Sequence, residues 1–355
     1  MRVAICWTDL TGYMASCWRA LAARPGIDLH ILLYAPRAQA HQNFGESLLA
    51  GLNYRLLTPQ ERADPQAVAS AVAAHQPDVI VVPGWFDPAY RRLVSMPEFH
   101  RARFVMTMDN PWKHTWRQRL ARLRVGRYVD RMAALLVAGE RAWQFARRLK
   151  VPEHKIFRGA LGFDLPPLES VYDQRLAAGP WPRRFLFMGR YVDLKGFDFL
   201  FPAYRAYRAR VTDPWPFTFH GQGPLAPQIA AEPGAEDRGF CQPADQPRVL
   251  AQHGVFVMPS WYEAWGVAVA EAAAAGLPTI CTEEVGASVD VIRSYYTGLT
   301  IPTRDAAALT DALLWMHQNY DRLPDMGRAA RTFGAAHSAA LWAERFDHMC
   351  QKITR

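Results

Sequence analysis

Short, uninterrupted apolar runs alternate along the chain with stretches whose apolar residues recur at helical spacing. Runs of the first kind predict strands buried on both faces, and stretches of the second kind predict the helices that cover them. Arg2–Trp7, Asp28–Tyr34, Asp78–Pro83, Arg103–Met108 and Ala133–Ala138 predict strands, with Lys155–Gly159 a further candidate. Tyr13–Ala23, entered through the turn Thr8–Gly12, and Pro65–His75 predict helices. This is the pattern of one doubly wound α/β domain over residues 1–165.

Pro166-Pro167 and Gly179-Pro180-Trp181-Pro182 punctuate the chain and predict a linker over residues 166–183. Beyond it the alternation restarts. Phe185–Met188, Pro216–His220, Val255–Met258 and Pro278–Cys281 predict strands, and Phe197–Arg210, Gln246–His253 and Gly266–Ala275 predict helices. A second domain is expected over 184–335. The helical pattern of Ser338–Thr354 sits in a C-terminal helix, 336–355, expected to pack back on the N-terminal domain. The fold class is therefore α/β, with two Rossmann-like doubly wound domains facing a central ligand cleft.

Composition narrows the functions. Of the 355 residues 50% are hydrophobic, which excludes a disordered chain. No run of about 18 uncharged apolar residues predicts a membrane-spanning helix. The N-terminus lacks a signal-peptide cleavage pattern, and five cysteines without a CxxC pair fit a reduced, cytoplasmic setting without structural zinc. The 41 basic and 33 acidic residues leave a net charge of +8, so an anionic partner is expected.

Candidate chemistry clusters in the second half. Gly189-Arg190 ends a predicted strand, and Lys195-Gly196 opens the next helix. A guanidinium and an ammonium beside a helix N-terminus suit a diphosphate, although an ordinary βα turn with solvated charges has the same sequence. Gly221-Gln222-Gly223-Pro224 follows another predicted strand. The segment Pro259-Ser260-Trp261-Tyr262-Glu263-Ala264-Trp265-Gly266 then leads into a helix carrying Glu271. A carboxylate accepts two hydroxyl hydrogen bonds at once, which suits ribose and hexose diols. Small residues flank Glu271, the signature of a partly buried carboxylate that needs a partner.

The pattern PSxxExxGxxxxEAxAxGxPxI, with Gly189-Arg190…Lys195-Gly196 upstream, resembles glycosyltransferase family 4 of the GT-B superfamily. The likeness extends from Gly162-Phe163-Asp164 through Gly239-Phe240 to Gly298-Leu299, and is strongest over 185–299. It implies retaining transfer of a sugar from a nucleotide-diphosphate donor, with no metal and no cofactor beyond the donor. Arg190 and Lys195 would neutralise the leaving diphosphate. Glu271 would hold the ribose. Glu263, with the backbone of Ala264, Trp265, Gly266 and Val267, would hold the donor sugar. Gly189 and Gly221 would let the donor approach the backbone, Gly239, Phe240 and Cys241 would line the base, and Gly12 would reach the phosphate from the other domain. Three positions depart from the family. Gly286-Ala287-Ser288-Val289-Asp290 stands where it carries Gly-Gly-x-x-Glu, Gly12 replaces a glycine pair, and Asp109 stands where a histidine is frequent.

The first half would bind the acceptor, a glycan or a lipid-linked one. Asp109 is the candidate polar group beside the reacting sugar, followed by Asp87 and His114, and each strand-end Asp is equally readable as a turn cap. Trp85, Trp112 and Trp116 are candidates to stack on an acceptor sugar. Trp116–Arg131 carries six arginines against Asp130. It is readable as an interfacial helix on anionic lipid, a groove for an acidic glycan, or a solvated face. No nucleic-acid motif occurs. The resulting expectation is a glycosyltransferase of bacterial-type surface polysaccharide or glycolipid synthesis, cytoplasmic and peripheral on the inner membrane face. The alternatives are a non-catalytic sugar-nucleotide-binding scaffold subunit and a nucleotide-sugar epimerase.

Overall fold

The structure, a computed structural model, describes residues 1–35 and 45–354. Among these, one compact unit takes 1–35, 45–163 and 339–354, and a second takes 164–338.

Unit 1 is built on a seven-stranded parallel sheet. Its strands are β1 (Arg2–Trp7), β2 (Asp28–Tyr34), β3 (Tyr54–Leu57), β4 (Val79–Pro83), β5 (Arg103–Met108), β6 (Ala134–Val137) and β7 (Ile156–Arg158). They are ordered β3-β2-β1-β4-β5-β6-β7. Unit 2 holds six parallel strands: β8 (Phe185–Met188), β9 (Phe217–His220), β10 (Ala235–Asp237), β11 (Val255–Met258), β12 (Thr279–Thr282) and β13 (Gly298–Ile301). Their order is β10-β9-β8-β11-β12-β13. Winding reverses between β1 and β4 in the first sheet and between β8 and β11 in the second. At such a reversal adjacent loops diverge and leave a crevice at the carboxyl edge of the strands.

Burial explains the sheets. The central strands read Val-Ile-Val-Val-Pro and Val-Phe-Val-Met and are buried at every position, as parallel strands covered on both faces must be. Phe185 and Phe187 on β8 and Phe217 and Phe219 on β9 form one aromatic face, against which Phe197 and Phe201 of the helix Phe197–Arg208 pack. That packing fixes the helix whose first turn follows Lys195-Gly196.

Two sequence readings are refined. Residues 166–183, read as a linker, hold two helices, Pro166–Glu169 and Val171–Ala177, which group with unit 2. Proline is tolerated there because the first helical turn has no intrahelical partner for the missing N–H. Arg175, on the second of these helices, is 1% exposed. Its guanidinium donates to the carbonyls of Leu250, Ala275 and Gly276, which end the helices Gln246–Ala251 and Val267–Ala274. Burial pushes its pKa down to about 9, so it stays charged at neutral pH and complements both helix C-termini. The stretch 116–131 is likewise two helices, Trp116–Arg119 and Ala121–Asp130, broken at Leu120.

The C-terminal helix Ala339–Thr354 packs in unit 1 against the helix Gly12–Ala22. Asp347 pairs with Arg24 at 2.8 Å, and the Trp342 indole donates to the Ala160 carbonyl at 3.0 Å.

Candidate active site

The carboxyl edge of the second sheet draws the loops after β8, β9, β11 and β12 together. Gly196, left-handed at φ +76°, sits so close to the β11 loop that a Cβ would lie 2.0 Å from the Pro259 carbonyl oxygen. The Trp261 N–H donates to the Leu194 carbonyl at 2.8 Å and ties the same two loops. A Cβ on Gly221 would meet the Gly189 carbonyl oxygen at 1.8 Å, so the β8 and β9 loops also touch backbone to backbone.

This close packing brings Lys195 to Glu263, 68 residues apart in sequence, as an ion pair from Nζ to Oε2. The charge of Lys195 is thus engaged by the carboxylate that the resemblance assigns to the donor sugar. Arg190 is exposed and forms no side-chain hydrogen bond or ion pair among the described residues. Gly266, left-handed at φ +100°, is the N-cap of the helix Val267–Ala274, whose first N–H groups lack helical partners. Trp265 is buried, and its indole donates to Asp290 Oδ2 at 2.8 Å while its carbonyl accepts from the Ala287 N–H. The divergent segment 286–290 thus anchors the Glu263 loop, a role that appears only once β12 lies beside β11.

Glu271 lies half-buried in the middle of that helix. Its Oε2 accepts from Gln246 Nε2 at 2.8 Å, and loss of solvent raises its pKa to about 7. Gln246 was not singled out from the sequence, and only the fold reveals it. On the far side, the Gly221 N–H donates to the Gly239 carbonyl, and Asp237 Oδ1 accepts from the Gly239 N–H at 2.9 Å and the Tyr191 hydroxyl at 2.8 Å. Gly239, Phe240 and Cys241 follow β10 half-buried. Ser260 is fully buried, and its hydroxyl has no hydrogen-bond partner among the described residues.

Unit 1 places its candidates at the carboxyl edge of the first sheet. Gly12 opens the helix Gly12–Ala22 with Thr11 as N-cap. The Thr11 hydroxyl is buried and unpartnered among the described residues, a feature the sequence reading passed over. Asp109 is exposed directly after β5. His114 is exposed at φ +57°, its ring edge-on to Trp112. Two candidates are corrected. Asp87 is buried: it caps the helix Pro88–Leu93 through the N–H groups of Ala89 and Tyr90 and accepts from the Tyr34 hydroxyl at 2.8 Å. Trp112 is 8% exposed and packs against Phe145 in the core, so it offers no free face to a sugar. Trp85 is half-buried, edge-on to Phe145. Trp116, Leu120 and Leu123 are exposed. No described helix is long and apolar enough to cross a membrane.

Residues 182–319, almost the whole site of unit 2, match the family model described as Glycosyl transferases group 1. The chain is 29% identical over 178 residues to the D-rhamnosyltransferase WbpZ of Pseudomonas aeruginosa, covering 48% of this chain and 44% of that protein. It is 31% identical over 189 residues to the D-inositol 3-phosphate glycosyltransferase of Streptomyces coelicolor, covering 48% and 41%. The aligned stretches thus span less than half of these curated relatives. Among solved structures, the sucrose-phosphate synthase of Thermosynechococcus elongatus superposes with a TM-score of 0.75 at 16% identity, over 99% of this chain and 98% of that one. HepE of Anabaena, solved with UDP and glucose, gives 0.73 at 14% identity, over 98% of each chain. The chain therefore has the GT-B fold, and the resemblance to family 4 glycosyltransferases is upheld by the group 1 match of its unit 2.

Proposed function

We propose that this chain is a retaining glycosyltransferase that moves a sugar from a nucleotide-diphosphate donor, held by unit 2, to a glycan or lipid-linked acceptor bound by unit 1. The observation that carries this reading is the Lys195–Glu263 pair across the β8 and β11 loops, with Arg190 on the first loop and Glu271 on the helix that follows the second. In departure of the diphosphate, negative charge develops on its oxygens. Arg190, Lys195 and the start of the helix Val267–Ala274 would supply positive charge there, Lys195 once it exchanges Glu263 for the bound diphosphate. The donor diphosphate would take over Lys195, releasing Glu263 to accept hydroxyl hydrogen bonds from the sugar, and Glu271 would accept those of the ribose. No cofactor beyond the donor is needed in this scheme.

The relatives support the class: two of them are named for glycosyl transfer, and HepE holds UDP and glucose. Retention follows the family 4 resemblance. Exposed Trp116, Leu120 and Leu123 among arginines support a cytoplasmic enzyme resting on an anionic membrane face, in surface polysaccharide or glycolipid synthesis.

Incubation with UDP-, GDP-, ADP- and dTDP-sugars tests the reading by nucleotide release. Native protein should release nucleotide from one of them. Lys195→Ala should cut turnover roughly a hundredfold, the usual effect of losing one preorganised charge, while Glu271→Ala should mainly raise the donor Kd. Binding without release under any acceptor would instead identify a scaffold subunit.

A further inference from the structure

A cavity of about 770 Å³ opens in unit 1 beside the loop that follows β4, and every residue lining it belongs to that unit. The helices Pro88–Leu93 and Ala121–Asp130 frame it. Part of its lining is aromatic: Trp85 and Tyr128, the latter fixed by its hydroxyl, which donates to the Gly84 carbonyl at 2.9 Å. Phe86, Pro65, Pro88 and Val94 add further apolar surface, and four arginines stand among them. Arg91, Arg92, Arg127 and Arg131 all line the same space, and none of them forms an ion pair among the described residues.

The lining holds one carboxylate among the described residues, Asp130, and it offers no neutralisation. Arg122 grips both its oxygens at 2.8 Å. Two of the four guanidiniums are steadied by the protein, Arg131 by donating to the Val94 carbonyl at 3.1 Å and Arg91 by lying over the Tyr128 ring. Arg92 and Arg127 remain exposed on either wall. Four like charges around one concavity repel, and a bound anion removes that repulsion while accepting the planar, two-pronged hydrogen bonds that guanidinium groups make to phosphate. The aromatic lining adds apolar contact for a ring or hydrocarbon body attached to the anion.

We propose that this cavity is a binding site for an organic phosphate, a phosphoester borne on a ring or apolar body. A free phosphorylated sugar and a lipid headgroup share this chemistry. The site is independent of the donor reading, because none of its residues comes from unit 2.

Isothermal titration with phenyl phosphate, with neutral phenyl β-glucoside as its control, tests the assignment. The native chain should bind the phosphate about tenfold more tightly than the glucoside, with affinity falling as salt rises. Arg92→Gln with Arg127→Gln should weaken phenyl phosphate roughly tenfold or more. Arg190→Ala, which removes the exposed phosphate candidate of unit 2, should leave it unchanged. Thermal unfolding verifies that the double variant stays folded. Absence of phenyl phosphate binding, equal binding of the glucoside, or a loss that follows Arg190→Ala instead would overturn the proposal. Sedimentation with phosphatidylglycerol vesicles separates the sources. Vesicle binding lost in the double variant, together with phenyl phosphate binding, assigns the phosphate to a lipid headgroup. Vesicle binding retained while phenyl phosphate is lost assigns it to a soluble phosphoester.

Discussion

Glu271 shows how burial converts a sequence signal into testable chemistry. Its flanking alanines mark it as a buried acid, and the structure removes enough solvent to raise its pKa from 4.5 to about 7. A carboxyl raised in the folded state stabilises the fold fully below about pH 4.5, and that contribution is lost as pH climbs through about 7. Glu271→Gln should therefore flatten the pH dependence of the melting temperature over that window relative to the native chain; matching slopes would mean that Glu271 is solvated. Residue type made Arg190, Lys195, Glu263 and Glu271 legible. Their partners were not, because Lys195 meets Glu263, and Gln246 meets Glu271, only after the strands are ordered. Of the two readings of Asp87, the cap holds for a local reason. Asp87-Pro88 is an N-cap followed by proline in the first turn, a helix-start signature that outweighs its position at a strand end.

At the level of elements, the site depends on loops that touch backbone to backbone and on helices pinned from behind. Gly196→Ala must place a Cβ against the Pro259 carbonyl at a left-handed φ, and Gly221→Ala must place one against the Gly189 carbonyl. Each should cost roughly 2 kcal/mol or more by denaturant unfolding, with a loss of donor affinity as the loops separate. Arg175→Met tests the pinning. It leaves the buried carbonyls of Ala275 and Gly276 without the Arg175 donor and weakens the bonding at Leu250, so unit 2 should lose about 3 kcal/mol, and Arg175→Lys should restore little because an ammonium cannot reproduce the fork. Strands with long apolar runs were legible from the sequence to within a residue or so. β3, four residues including Arg55, and β10, reading Ala-Glu-Asp, were not, since edge strands carry little of the apolar signal. The helices of 166–177 were hidden by Pro166-Pro167, whose helix-initiating use looks like a chain break when read alone.

For the molecule as a whole, the two sheets are wound on the same plan. The final helix closes unit 1: Trp342, Phe346, Met349 and Cys350 are buried there, and truncation after Ser338 should cost that unit about 5 kcal/mol or more. Its melting should drop without a matching change in the affinity of unit 2 for nucleotide. The net charge of +8 also gains a location, because much of the excess arginine lies over 116–131 and around the cavity of unit 1 rather than at the diphosphate candidates Arg190 and Lys195. In the proposed function, unit 2 holds a nucleotide sugar through the acids and bases of the β8/β11 reversal. This binding is tested most directly by calorimetric titration of the native chain and Glu271→Gln with whichever of the UDP-, GDP-, ADP- or dTDP-sugars most raises the melting temperature. The Kd should be roughly tenfold or more weaker for the variant, the cost of losing a carboxylate acceptor for the ribose hydroxyls. Equal dissociation constants for the two proteins would contradict it.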